Sequence, residues 1–219
     1  MARDLQENNV PSENQIQVMY EEELNTGIKI MFVGNSITKH EPKPSIGWYN
    51  ECGMEASCRE KDYVHLLHKK IREVRPDASF ALLQASHFER EFETFDIDKY
   101  YKSAIDFDAD IIVLFFGANA RKDYDVTENP DITFGERYKV LRDKLNKSGK
   151  AKVAHVQGFY LRERLNQEKL AVSNECGDVF IELGDIRTDE KTHGHFNHPN
   201  DYGMEMIAEK IWPTIKEWL

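Results

Sequence analysis

The chain has 219 residues, 40% of them hydrophobic, and a net charge of −10. That length suits one domain with a sizeable core, since a single domain can run to roughly 250 residues. The acidic balance excludes an extended nucleic-acid surface, which needs clustered Lys and Arg, and no apolar run approaches the roughly 20 residues that span a bilayer. Three cysteines, Cys52, Cys58 and Cys176, make an odd number without metal-ligand spacing, and they read as reduced thiols rather than a disulfide framework. The polar N-terminus MARDLQENNVPSENQ has no apolar signal core, so a cytoplasmic location is expected.

Residues 1–26 read as an N-terminal arm packing on the domain, with a short helix around Gln15–Leu24, and residues 27–219 as the domain itself. Lys29–Val33 is the first core strand. It stops at Gly34-Asn35-Ser36, where a tight turn places a serine just beyond the strand end. Lys39–Glu60 is long and irregular, with Pro42, Pro44, Gly47 and Gly53; such loops are often functional. Trp48 in this loop suits either a stacking platform for a substrate or a buried anchor. Tyr63, Leu66, Leu67, Ile71 and Val74 recur at helical spacing, and Pro76 ends that segment.

Ser79–Gln84 reads as a second strand, and Glu89-Arg90-Glu91 after it as a solvated face. Tyr100–Phe107 is helical. Asp110–Phe116 (DIIVLFF) is a buried strand ending at Gly117-Ala118-Asn119. Thr133–Lys147 is an amphipathic helix, Lys152–Val156 a strand, Leu161–Val172 a helix and Val179–Leu183 a fifth strand. Asp201–Leu219 is a closing helix, broken or kinked near Pro213. Strands alternating with helices predict a three-layer α/β/α fold around a five-stranded parallel sheet, and a flavodoxin-like order 2-1-3-4-5 is the economical topology.

In that topology the loops after strands one and three meet at the switch point, where ligands gather outside the carboxyl ends of strands. They carry Ser36 and Asn119. The last loop, Thr192-His193-Gly194-His195-Phe196-Asn197-His198-Pro199-Asn200-Asp201, must return over the sheet to reach the final helix. A serine hydroxyl needs a base within hydrogen-bond reach and donors for the developing oxyanion. A histidine near neutrality suits the first role, and an asparagine amide the second.

The chain resembles the SGNH (GDSL-type) hydrolases, a superfamily of esterases and lipases. Gly34-Asn35-Ser36 stands where the family has Gly-Asp-Ser, Gly117-Ala118-Asn119-Ala120 where it has Gly-x-Asn-Asp, and His198-Pro199-Asn200-Asp201 where it has its terminal histidine block. The resemblance implies Ser36 as nucleophile, His198 as general base, and Asn119 with the Ser36 N–H in the oxyanion hole. It also implies that no cofactor or metal is needed. Asn35 and Ser86 are carried along as oxyanion-side residues, the latter through its backbone N–H, and Trp48 as a substrate-side aromatic.

His195 stands where the acidic triad member is expected, which points to a Ser36–His198 dyad. A backbone carbonyl, or a carboxylate such as Asp185 or Asp189, would then orient the base. The substrate class implied is a small carboxylic ester, most sharply an acetylated sugar. The alternative is a catalytically weakened glycan- or ester-binding module on the same fold. A metal-dependent hydrolase built on His193, His195 and His198 is weaker, because a His-, Gly- and Asn-rich loop needs no metal to exist. A nucleotide binder is weakest, since GxGxxG and the phosphate loop are both missing.

Overall fold

Strands buried on both faces need helices on both sides, and their residues lose the polar alternation of a half-exposed sheet. The computed structural model, which describes Met19–Glu22 and residues 27–219, shows this arrangement. The core strands are β2 (Lys29–Gly34), β3 (Ser79–Gln84), β4 (Ile111–Phe115), β5 (Lys152–Val156) and β6 (Val179–Ile181). They pair in parallel in the order β3-β2-β4-β5-β6, which is the predicted 2-1-3-4-5 topology. A sixth strand, β1 (Met19–Glu22), adds antiparallel to the outer edge of β3. The short helix expected over Gln15–Leu24 is therefore replaced there by a strand, because the open edge of β3 offers unpaired backbone groups. The rest of the expected arm lies outside the described residues.

Alternate residues of β2 serve opposite faces. Ile30 and Phe32 join one core with α1 (Tyr63–Val74) and α7 (Asp201–Trp218). Met31 and Val33 join the other. That second layer contains α2 (Ser86–Glu91), α3 (Ile97–Tyr100), α4 (Lys102–Phe107), α5 (Phe134–Leu145) and α6 (Glu163–Cys176). It is built largely on aromatic rings, among them Phe88, Phe92, Phe116, Phe134 and Tyr138, packed mostly edge to face or tilted.

Local signals set the helix ends. Thr133 and Glu136 form a reciprocal capping box at the start of α5, worth about 1 kcal/mol. Asn200 accepts the Gly203 N–H at the start of α7. The segment expected as one helix over Tyr100–Phe107 is two, α3 and α4, interrupted at the buried Tyr101. α7 runs through Pro213 without the expected break: the buried Ile211 and Ile215 on either side keep it on the core, and proline removes a single N–H. Among the described residues no helix is long and apolar enough to cross a membrane.

Candidate active site

β2 ends at Gly34, which has no room for a side chain: a Cβ there would fall 1.7 Å from Thr38 Oγ1. The chain turns at once, with the Thr38 and Lys39 N–H groups both donating to the Asn35 carbonyl at 3.0 Å. Ser36 therefore stands at the tip of a tight strand-to-loop turn, partly exposed between buried neighbours Asn35 and Ile37. Its carbonyl accepts the Met54 N–H at 2.8 Å, so the following long loop folds back against it. The far part of that loop is tied to α7, because Asp201 accepts the Ser57 N–H, the Ser57 hydroxyl and the Lys61 ammonium.

His198 comes to Ser36 from the other end of the chain. Its Nε2 lies 2.8 Å from Ser36 Oγ, and its Nδ1 lies 2.9 Å from the Phe196 carbonyl oxygen. A carbonyl only accepts, so Nδ1 carries the proton and Nε2 turns its lone pair to the Ser36 hydroxyl. Burial lowers the pKa of His198 from its ordinary value, while the bond to Phe196 and the charge of Glu55 oppose that shift. The loop that carries it is cinched locally: the Gly194 N–H donates to the His198 carbonyl, and the Asn200 amide donates to the Lys191 and His193 carbonyls.

The orienting group is thus a backbone carbonyl, and neither carboxylate considered from sequence takes that place. Asp189 Oδ1 accepts the Lys191 N–H, and the Asp185 carbonyl closes a turn with Thr188 and Asp189. His195 is exposed, and its N–H donates to Glu55 Oε2 at 2.8 Å. Glu55 itself sits in the left-handed region, at φ 78°. Both ring nitrogens of His193 have partners, Asn197 Oδ1 and the Arg187 carbonyl. Among the described residues no three His, Cys, Asp or Glu side chains gather as a metal centre would require.

Asn35 and Asn119 are brought together through a residue that the sequence reading left on the surface. Glu89 is fully buried, not solvated. Its Oε1 accepts from Asn35 Nδ2 at 3.0 Å, from the Ala118 N–H at 2.8 Å and from the Gly117 N–H, while Oε2 accepts from Asn119 Nδ2. Gly117 has φ 124°, a conformation that glycine alone adopts readily. Lys169, equally buried, donates to the Phe116 and Val156 carbonyls at 2.7 and 2.6 Å. Burial pushes its ammonium down to about 7, against the pull of the Glu89 charge.

Two other expectations change. The Ser86 N–H, read as an oxyanion donor, is taken by Gln84 Oε1 at 2.9 Å, and so is the Ser86 hydroxyl. Trp48 is 5% exposed and sits in the core beneath the loop, with its indole N–H on the His40 carbonyl, so it anchors the loop and offers no face to a ligand. The accessible aromatic beside the pair is Tyr160, whose ring meets the His198 ring edge to face at 5.7 Å. It lines a cavity of about 530 Å³ with Phe159, Leu161, Arg187 and Asn197. No sequence motif marks Tyr160; only its place after β5, at the carboxyl end of the sheet, could have suggested it.

No family model and no curated protein matches this sequence. Solved structures do match. A family two carbohydrate esterase from Clostridium thermocellum, in complex with cellohexaose, is 17% identical with a TM-score of 0.57 and covers 88% of this chain. The acetylxylan esterase Axe2 from Geobacillus stearothermophilus is 14% identical with a TM-score of 0.57 and covers 87% of this chain and 94% of its own. A two-domain esterase active on acetylated mannans is 18% identical with a TM-score of 0.57 over 87% of this chain. The chain spans 65% of the Clostridium protein and 49% of the two-domain esterase. The chain shares its fold with these solved esterases.

Proposed function

We propose that the chain is a serine esterase acting on small carboxylic esters, with O-acetyl groups on sugars as the substrate class. The observation that carries this reading is the 2.8 Å contact between Ser36 Oγ and His198 Nε2, in the tautomer that the Phe196 carbonyl imposes. Ser36 Oγ attacks the ester carbonyl as its proton passes to His198 Nε2. The tetrahedral oxyanion is met by the Ser36 N–H, which has no acceptor in its own turn among the described residues, and by Asn119 Nδ2. Asn119 gives one amide hydrogen to Glu89 and keeps a second for this role.

Collapse expels the alcohol, which takes the proton from His198, and leaves acetyl on Ser36. Water then attacks, with His198 again as base, and releases acetate. The sugar reading is supported by the structural likeness to an acetylxylan esterase and to an esterase active on acetylated mannans, and by Tyr160, which meets the His198 ring and lines a neighbouring cavity.

The test is release of p-nitrophenol from p-nitrophenyl acetate, followed by acetate release from acetylated xylo- and manno-oligosaccharides. Ser36→Ala should lower kcat on the order of 10⁴-fold or more, as removal of a nucleophile does, with an unchanged melting temperature. Turnover that survives Ser36→Ala would sink the acyl-enzyme mechanism. Turnover of p-nitrophenyl acetate with no acetate released from either oligosaccharide would sink the sugar assignment alone.

A further inference from the structure

Glu89 takes no part in the acyl-transfer steps above, yet it is among the most heavily engaged side chains near the site. Its two oxygens gather four donors from two separate loops: Asn35 from the turn after β2, and Gly117, Ala118 and Asn119 from the turn after β4. A buried carboxylate is tolerated only when hydrogen bonds and a counter-charge repay its lost hydration. Lys169 supplies the charge. Its Nζ holds the carbonyl of Phe116, the residue just before Gly117, and a Cβ on Gly117 would lie 3.5 Å from its Cδ. The Phe116–Gly117 peptide is thus gripped on both sides, by the ammonium at its carbonyl and by the carboxylate at its N–H, and the carboxylate also takes the N–H of the next peptide.

The chemistry of the carboxylate matters as much as its position. It has acceptors only, so it admits a single orientation of the Asn119 amide, with Nδ2 inward and Oδ1 away. Neither Asn35 nor Ala120, each of which stands where the resemblance would put an aspartate, can impose that orientation, because neither carries a carboxylate. We propose that Glu89 is the positioning residue of the oxyanion hole, fixing the Asn119 amide and the Gly117–Asn119 turn against the Ser36 turn, with Lys169 as its counter-charge. This inference rests on the serine-esterase reading for the role of Asn119, and on the hydrogen bonds alone for its geometry.

Glu89→Gln tests it. The variant keeps the shape but replaces one acceptor with a donor. If Gln Oε1 stays on Gly117, Ala118 and Asn35, its Nε2 faces Asn119, whose amide must turn over to present Oδ1. With p-nitrophenyl acetate, kcat should fall about 100-fold, the scale of one lost oxyanion donor, while KM stays within about twofold. Asn119→Ala should lose a similar factor, and the double variant should lose no more than either single one. The Asn119 side-chain signals in ¹H–¹⁵N spectra should shift in Glu89→Gln.

A wild-type kcat in folded Glu89→Gln, losses that multiply in the double variant, or unmoved Asn119 signals would each overturn the proposal. Should Glu89→Gln fail to fold, the Glu89→Gln/Lys169→Met pair removes charge and counter-charge together and is read by the same criteria. If the wild type hydrolyses no ester, the functional reading fails by that result, and the Asn119 signals still decide whether Glu89 sets the amide.

Discussion

Two histidines of this chain sit in opposite kinds of surroundings. His155, on the penultimate strand β5, is fully buried and has a carboxylate partner: Nε2 lies 2.8 Å from Asp178 Oδ2, and Nδ1 lies 2.8 Å from the Tyr138 hydroxyl. Asp178 is held in turn by both arms of Arg142, at 2.8 and 2.7 Å. His198 is half-exposed at the sheet's carboxyl end and has only a main-chain carbonyl behind it. The acid–histidine–hydroxyl arrangement familiar from serine hydrolases is thus present with its histidine and hydroxyl buried in the interior, and is shortened beside Ser36. A carboxylate behind a histidine is an architectural part as much as a catalytic one. Fixing a tautomer, the minimum a base requires, needs only an acceptor.

The comparison breaks most visibly at Asp178. Asp178→Ala leaves Arg142 and His155 without their shared partner, and loss of one side of a buried charge pair costs about 3–5 kcal/mol. Thermal unfolding should register that as a large fall in melting temperature. In the fraction that remains folded, kcat for p-nitrophenyl acetate should be unchanged; a tenfold fall there would join the two regions that the structure keeps apart.

A smaller effect separates the histidines by pH. Burial lowers the pKa of both below the ordinary 6.5. On the proposed mechanism His198 acts in its neutral form, so kcat/KM should rise with pH through a midpoint below 6.5 and be level through neutrality. For His155 the unfolded chain binds the proton more tightly than the native one. Stability is therefore full above about 6.5 and falls as pH drops toward the lower native value. Glu55→Gln removes a charge that raises the His198 pKa. It should move the activity limb further toward acid, as parallel pH–rate series of the wild type and the variant would show.

The smallest effects belong to the groups near His198 that do not touch it. His195→Ala, Asp185→Asn and Asp189→Asn should each keep kcat within about twofold, as exposed substitutions generally do. A larger loss in either aspartate variant would mean that a carboxylate, and not the Phe196 carbonyl, orients the base in solution.

Much of this was legible in the sequence, for reasons that differ by residue. Continuous apolar runs such as IIVLF mark strands covered on both faces, and Ser36, Asn119 and His198 announce themselves by following such strands or by preceding a capped helix. Glu89 was hidden by its neighbours, because a Glu-Arg-Glu run reads as surface. The signal that opposes that reading is the spacing of Phe88, Phe92 and Phe95, all buried, which places a short apolar face beside residue 89. Ser86 failed for a reason of local chemistry: Gln84, two residues back, takes its N–H. Trp48 was open to two readings, and only its burial decides between them. The Tyr138–His155–Asp178 chain joins three elements far apart in sequence, and nothing in the string KVAHV hints at it.

The antiparallel strand at Met19–Glu22 has a consequence for solubility. β3, the strand it covers, reads SFALLQ and is without charge or proline, the composition of segments that template intermolecular β-pairing when their edge is bare. At the opposite border the sheet ends in the three-residue β6, too short to recruit much. The four residues Met19–Glu22 therefore act as a guard rail, their backbone pairing with the border strand where a second molecule would otherwise dock.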